Sequence, residues 1–238
     1  FDAQLAALLA ARPQAVSSIM GLFPAPAVAE MKRLGIAWFA CATTLAEARE
    51  AEAAGADAIV AQGAEAGGHR GSFSPDAAET QLVGLIALLP RLADHIIVPI
   101  IATGGIVDPR GIAAALTLGA SAVQIGTALL RTPEAATHPA WATALENLEP
   151  EATIPTRWFS GRLGRAVATD YTRATAGHPA APYPVQRGLT APMREAAARA
   201  NNPHAMQLWA GQSAALAQAR PAADLVRQLW QDAQALVP

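Results

Sequence analysis

Between Ala15 and Leu130 the chain alternates short apolar, often β-branched runs with alanine-rich stretches of mixed polarity. That alternation is the pattern of βα units laid on a parallel sheet. Five runs read as strands: AVSSIM from Ala15, IAWFACA from Ile36, DAIVA from Asp57, IIVPIIA from Ile96 and AVQIG from Ala122. Helices are predicted between them. One opens at Thr44, where Glu47 stands at capping-box spacing so that the two side chains can satisfy free amides. Another opens at Asp108 and Pro109, an N-cap acid followed by proline in the first helical position, and runs to about Gly119. LGIAWF, AGADAIV and LGASAVQ repeat one phrase: helix end, glycine turn, buried strand. The expected fold class is α/β, of the (β/α)8 TIM-barrel type.

A closed barrel needs eight strands, and only five are visible before the pattern stops. Because the chain begins at Phe1 without methionine, the expectation is a fragment lacking its N-terminal strands, with completion by partner chains as the alternative. Residues 1–130 are then the C-terminal part of the barrel. From Arg131 the character changes: residues 131–206 are rich in proline, arginine and small side chains and read as a smaller inserted domain after the last strand, irregular or partly helical. Residues 207–238 read as a helical segment returning to the barrel, with Leu208, Leu216, Leu225, Leu229 and Trp230 among polar positions and an interruption at Pro221. Trp209 and Trp230 are read as ordinary packing aromatics.

Composition narrows the function classes. The 238 residues are 52% hydrophobic with a net charge of −2, enough for one large α/β domain or for a domain with a smaller appendage. Lys32 is the only lysine and the arginines are scattered, so no basic tract points to nucleic acid. Cys41 is the only cysteine; no intrachain disulfide can form, and its place in an apolar run makes it a core thiol. A reducing cytoplasm is the simplest compartment. No apolar run approaches membrane-spanning length and no export signal is present. The sequence is silent on oligomeric state, and a homo-oligomer is compatible with it.

The chemistry concentrates where strands end. QGAEAGGHRG, Gln62 to Gly71, follows the third strand and sets His69 among Gly63, Gly67, Gly68 and Gly71. Those glycines permit positive φ or close backbone approach to a ligand and place His69 on a loop. A neutral imidazole there is suited to general-base work; the alternative is a glycine-rich connection carrying a surface histidine. Gly104 and Gly105 follow the fourth strand, and Gln124, Ile125, Gly126 and Thr127 end the fifth. In a barrel these loops share one face, and those after the last two strands commonly hold phosphate with backbone amides. Thr127 adds a hydroxyl donor and Gln124 an amide; the alternative is a set of plain βα turns. Glu65 reads as an exposed or cap-forming carboxylate, with a second acid or base as the alternative. There is no GxGxxG fingerprint and no P-loop lysine. His95, His138, His178 and His204 show no metal spacing, and no metal is assigned.

Four blocks carry a family likeness: QGAEAGGHRGSF, IATGGIVDPRGIAAALTLGASAVQIGTALL, FSGRLGR at Phe159 to Arg165, and LWAGQ at Leu208 to Gln212. They resemble the nitronate monooxygenase family, formerly 2-nitropropane dioxygenases, which are FMN-dependent barrel enzymes. The first two blocks are shared with flavin-dependent enoyl-ACP reductases; Gln62 in place of an acid, together with LWAGQ, points to the monooxygenases. The resemblance implies that His69 is the catalytic base or substrate-orienting group. It implies that Gln62, Gly67, Gly104, Gln124, Ile125, Gly126 and Thr127 contact FMN, with Gly68 and Gly105 shaping the same loops. Gly211 and Gln212 are expected to close over the phosphate at the start of the final helix. The implied reaction is oxidation of an alkyl nitronate by FMN and O2 to a carbonyl compound and nitrite. The alternatives are an FMN-dependent NAD(P)H reductase of enoyl-ACP or quinone type and a truncated, non-catalytic flavin-binding barrel.

Overall fold

The computed structural model describes residues 1–237. In chain order its elements are α1 (Asp2–Ala10), β1 (Ala15–Ser18), α2 (Ala25–Leu34), β2 (Ala37–Ala42), α3 (Leu45–Ala53), β3 (Ala58–Gln62), β4 (Gly68–His69), α4 (Leu85–Ala93), β5 (Ile100–Thr103), α5 (Pro109–Thr117) and β6 (Ala122–Gln124). There follow α6 (Pro139–Ala144), β7 (Thr153–Thr156), β8 (Gly164–Val167), α7 (Asp170–Ala174), α8 (Val185–Arg199) and α9 (Ala222–Gln234), with short 3-10 turns between them.

The α/β class with a parallel sheet is observed: five parallel strands lie in the order β1-β2-β3-β5-β6. All five residues of β3 are buried, as expected of a strand covered on both faces. The register sets Gln62 opposite Thr103 and Thr103 opposite Gln124, so the C-terminal ends of three strands form one row. The main core packs Trp38, Ile59, Leu89, Leu92 and Met31 between sheet and helices. Thr44 caps α3, its side chain accepting from the Glu47 amide at 3.2 Å. Glu47 reaches past it, accepting from the Thr43 amide and hydroxyl, both at 2.7 Å, and from the Phe73 amide at 2.7 Å. The acid thus ties the start of α3 to the chain beyond His69. Asp108 caps α5 as expected, accepting from the Gly111 amide.

One strand starts later than its sequence suggests. The run from Ile96 pairs only from Ile100, because the Ile96 amide still closes α4 on the Leu92 carbonyl. Glu52 takes the amides of Ile97 and Val98 at 2.6 and 3.1 Å, and Pro99 has no N–H to give.

Residues 131–206 hold more strand than expected. β7 and β8 form an antiparallel pair, and β8 also pairs with β4 to give a three-stranded sheet. Each run is only four residues long, and Pro155 is tolerated because β7 is an edge strand. The last segment needs correction. No helix is interrupted at Pro221; α9 begins there. Upstream, the chain pairs with β8 instead, through Val167 N–H to the Leu208 carbonyl at 2.9 Å and a bridge between Ala166 and Trp209. Leu225, Leu229 and Ala233 on one face of α9 are buried, and the helix packs on α5. Among the described residues no helix is long and apolar enough to cross a membrane.

Candidate active site

A cavity of about 600 Å³ opens at the C-terminal ends of the parallel strands. Of the residues singled out in the sequence, it gathers Gln62, Gly67, Gly68 and His69 from the segment after β3, Gly104 and Gly105 after β5, Gln124, Gly126 and Thr127 after β6, and Gly211 from the LWAGQ block. Ile125 and Gln212 are not on its wall. Ile125 packs back into the apolar cores, and the Gln212 amide donates to the Glu65 carbonyl at 3.0 Å.

The segment from Gln62 to Gly71 is braced from within. Gln62 is buried, its carboxamide oxygen accepting from the Gly71 amide at 2.8 Å and its nitrogen donating to the His69 carbonyl at 3.0 Å. Its amide therefore holds the histidine loop in shape and keeps one N–H beyond that task. Arg70 turns inward and donates to the carbonyls of Gln62, Thr43 and Gln81. The segment is more ordered than a plain loop: Gly68 and His69 pair with Arg165 and Gly164 of β8. Glu65 caps, as one of its expected roles, accepting from the Leu85 amide at the start of α4 at 2.9 and 3.1 Å.

His69 is half-buried between aromatic rings. The Trp209 ring centroid lies 5.2 Å away and that of Tyr183 6.0 Å away. Its Nε2 lies 2.7 Å from the Ser160 hydroxyl. Burial first, then the charges of Arg187 and Arg162, hold the imidazole below its ordinary pKa, so at neutral pH the ring carries a free lone pair and no charge. Such a ring accepts a proton readily once an anion forms beside it.

At the other side of the cavity, Gly104 and Gly105 adopt left-handed backbone at φ 114° and 70°. Neither they nor Gly126 gives its amide hydrogen to an acceptor among the described residues. The Thr127 hydroxyl accepts from the Gly211 amide at 3.0 Å, which leaves its own proton free to donate. A Cβ at Gly126 would meet nothing within 4 Å, so this turn faces open space. Trp141, also on the wall, holds a buried indole N–H without an acceptor among the described residues. That N–H is closed off from the cavity, so the donors available to a ligand are the glycine amides and the Thr127 hydroxyl, which fit a group rich in acceptor oxygens such as a phosphate.

Gly67 and Gly211 are glycines for a different reason. A Cβ on Gly67 would lie 2.5 Å from the Gly211 nitrogen, and one on Gly211 would lie 2.9 Å from the Glu65 carbonyl oxygen. The two backbones touch. Gly211 consequently sits against the histidine segment, not at the start of the final helix as expected, since α9 begins only at Ala222.

Cys41 lines the cavity but is buried, and desolvation pushes its thiol up to about 12. Among the described residues no three His, Cys, Asp or Glu side chains are placed to hold a metal. Sequence reasoning missed Ser160, Trp141 and Ser213, whose hydroxyl donates to the Gly105 carbonyl at 2.7 Å. Ser160 stands inside FSGRLGR, a block noted for its likeness without a role. Trp209 does pack, on Phe159 and His69, and it also lines the cavity.

The model of the family described as nitronate monooxygenase matches residues 1–232. A nitronate monooxygenase from Paraburkholderia phytofirmans is 46% identical over 235 residues, covering 95% of this chain and 63% of its own length. One from Pseudomonas aeruginosa is 45% identical over 229 residues, covering 94% and 65%. The chain thus spans somewhat under two thirds of the length of these curated relatives. Among solved structures, nitroalkane oxidase from Streptomyces ansochromogenes superposes with a TM-score of 0.93 at 38% identity, covering 99% of this chain and 68% of that one. FabK from Thermotoga maritima superposes at 0.82 with 25% identity, covering 98% and 72%.

Proposed function

Because the chain belongs to the nitronate monooxygenase family, we propose that it carries out, with FMN and O2, the oxidation of alkyl nitronates to a carbonyl compound and nitrite. The observation that carries this reading is the meeting, on one cavity, of an uncharged imidazole and glycine turns with unpaired amides. The amides of Gly104, Gly105 and Gly126 and the Thr127 hydroxyl would hold the phosphate. Gln124 offers its amide to the rest of the cofactor. FMN supplies the electron acceptance from substrate and the reaction with O2.

The protein's own work is with protons and charge. His69 removes the α-proton of a neutral nitroalkane; its pKa is depressed by burial first and then by Arg187 and Arg162, and the positive field of those arginines also favours the nitronate anion that results. Trp209 and Tyr183 flank the ring. We also read the five strands as part of a (β/α)8 barrel whose remaining strands lie outside this chain, and residues 131–206 as an insertion packed on it. The length of the relatives supports the first point. A second small core around Leu145, Val167 and Leu208 supports the second. A cytoplasmic location fits the lone buried thiol.

The test is anaerobic addition of an alkyl nitronate to the FMN-loaded protein. Bleaching of the flavin is the expected result. An unchanged spectrum, followed by bleaching with NADPH, would replace this reading with the reductase one; no response to either would leave a flavin-binding barrel without turnover. With activity in hand, His69→Asn should lose far more turnover on neutral nitroalkanes than on nitronates formed beforehand.

A further inference from the structure

Ser160 makes three contacts around one oxygen. His69 Nε2 lies 2.7 Å from its hydroxyl, the Arg162 carbonyl lies 3.2 Å away, and the Arg162 amide donates to it at 3.3 Å. The side chain is fully buried. A hydroxyl has one proton and two lone pairs, so only two arrangements exist. If Ser160 donates to Nε2, the Arg162 carbonyl has no donor among the described residues. If Ser160 donates to that carbonyl, its lone pairs accept from the Arg162 amide and from an N–H on Nε2. Nε2, the Ser160 hydroxyl and the Arg162 amide and carbonyl are then all paired. Arg162 is half-buried, and polar groups partly withdrawn from water favour the arrangement that leaves none of these four without a partner.

Resting on the functional reading above, we propose that Ser160 is a positioning residue that fixes His69 as the Nε2–H tautomer and leaves Nδ1 as the base. Nδ1 has no hydrogen-bond partner among the described residues, and His69 borders the cavity whereas Ser160 does not. In the proton transfer the C–H bond at the α-carbon breaks and an N–H bond forms at Nδ1. The electron pair passes to the nitro group, giving the nitronate. The Nε2–H to Ser160 bond is kept throughout and strengthens when the ring becomes charged, because hydrogen bonds to charged groups are the stronger ones.

The charged groups facing the ring are Arg162, at the start of β8's approach, and Arg187 on α8. Both oppose imidazolium. Ser160 is the neutral acceptor set against them, and its oxygen is backed by the Arg162 carbonyl. The arrangement also explains why a serine buried in the inserted segment belongs to the chemistry of a histidine 91 positions earlier. It lies where the turn between β7 and β8 passes behind β4, the strand that carries the imidazole.

The experiment is a long-range proton–nitrogen NMR spectrum of histidine-15N-labelled protein, with His69 assigned by its loss in His69→Asn. Wild type is expected to show the Nε2–H tautomer. Ser160→Ala should give a mixture and an imidazole pKa lower by about one unit, as loss of one hydrogen bond to a charged group implies. Ser160→Thr, which keeps the hydroxyl, should restore the wild-type tautomer. In turnover, Ser160→Ala should lose about tenfold in kcat/KM on a neutral nitroalkane and a smaller factor on the nitronate. An Nδ1–H tautomer in wild type overturns the proposal even if no serine variant folds, as does an unchanged tautomer in Ser160→Ala. A wild-type protein inert to both substrates would sink the functional reading alone, since the spectrum still decides the role of Ser160.

Discussion

Gly67→Ala separates two explanations of a glycine beside the cavity histidine, His69: room for a cofactor, or room for the chain's own backbone. The added methyl would stand 2.5 Å from the Gly211 nitrogen, 2.6 Å from the Ala210 carbonyl carbon and 3.0 Å from the Ala210 Cα. All three atoms are backbone, so no side chain can swing away. Ordinary contact begins near 3.4 Å; taking 3.4 minus 2.5, the 210–211 segment must withdraw by about 0.9 Å. That movement would stretch the bonds from the Gly211 amide to Thr127 and from the Gln212 amide to Glu65, each now 3.0 Å. Two lost amide hydrogen bonds cost about 1–3 kcal/mol together, and the overpacking of a tight backbone contact costs about 1–3 kcal/mol more where the neighbour cannot relax fully. The expected total is roughly 2–6 kcal/mol, a fall of at least about 4 °C and at most about 24 °C in Tm for a domain of this size. Thermal and urea unfolding of the cofactor-free protein measure it directly. An unchanged Tm in the absence of FMN, with FMN affinity lowered, would show that Gly67 serves the cofactor and that the backbone contact is not what the position protects.

Gly126→Ala should behave in the opposite way. Its Cβ meets no protein atom within 4 Å and its φ of −124° is open to alanine, so cofactor-free stability should hold within about 1 kcal/mol while FMN affinity drops about tenfold or more; equal affinity in a fluorescence titration would move the phosphate away from this turn. Cys41, with its thiol pushed up to about 12 by burial, should resist a thiol reagent at pH 8 in the native state and react fully in denaturant; fast native labelling would contradict its place in the core. His69 should make folding sensitive to acid. Its folded pKa lies below the ordinary 6.5, so the unfolded chain binds the proton more tightly; stability is fully present above about 6.5 and declines as pH falls toward the folded value. Wild type should therefore lose stability on acidification faster than His69→Asn, and parallel curves in urea would refute the depressed pKa.

How much of this was legible in the sequence depended on whether a residue's role was decided nearby or at a distance. The strands from β1 to β6 were readable because burial on both faces writes an apolar run into a few consecutive residues, and Thr44 and Asp108 were readable because a cap acts within one turn. The glycine turns could be placed on one cavity because parallel βα units put their strand ends on one side. What could not be read was anything set by pairing across the chain. β7 and β8 are short, carry no strong alternation, and become strands because β4 offers an edge to β8. The LWAGQ block looked like the beginning of a helix, but its partner is β8, so Trp209 is carried onto His69 and Gly211 onto Gly67. Gln62 was expected as an FMN contact from the family resemblance; it lies on the cavity wall, and its carboxamide also closes the loop that it begins, a role with no local signature. Ser160 is the clearest case, a hydroxyl with no local signature whose meaning comes from an imidazole brought beside it by the second sheet. The parallel sheet supplies the cavity, and the histidine is oriented by a segment that joins it only through tertiary pairing. The cavity and the orientation of the His69 ring should therefore be separable, with variants along β8 disturbing the ring while leaving the five-stranded sheet intact.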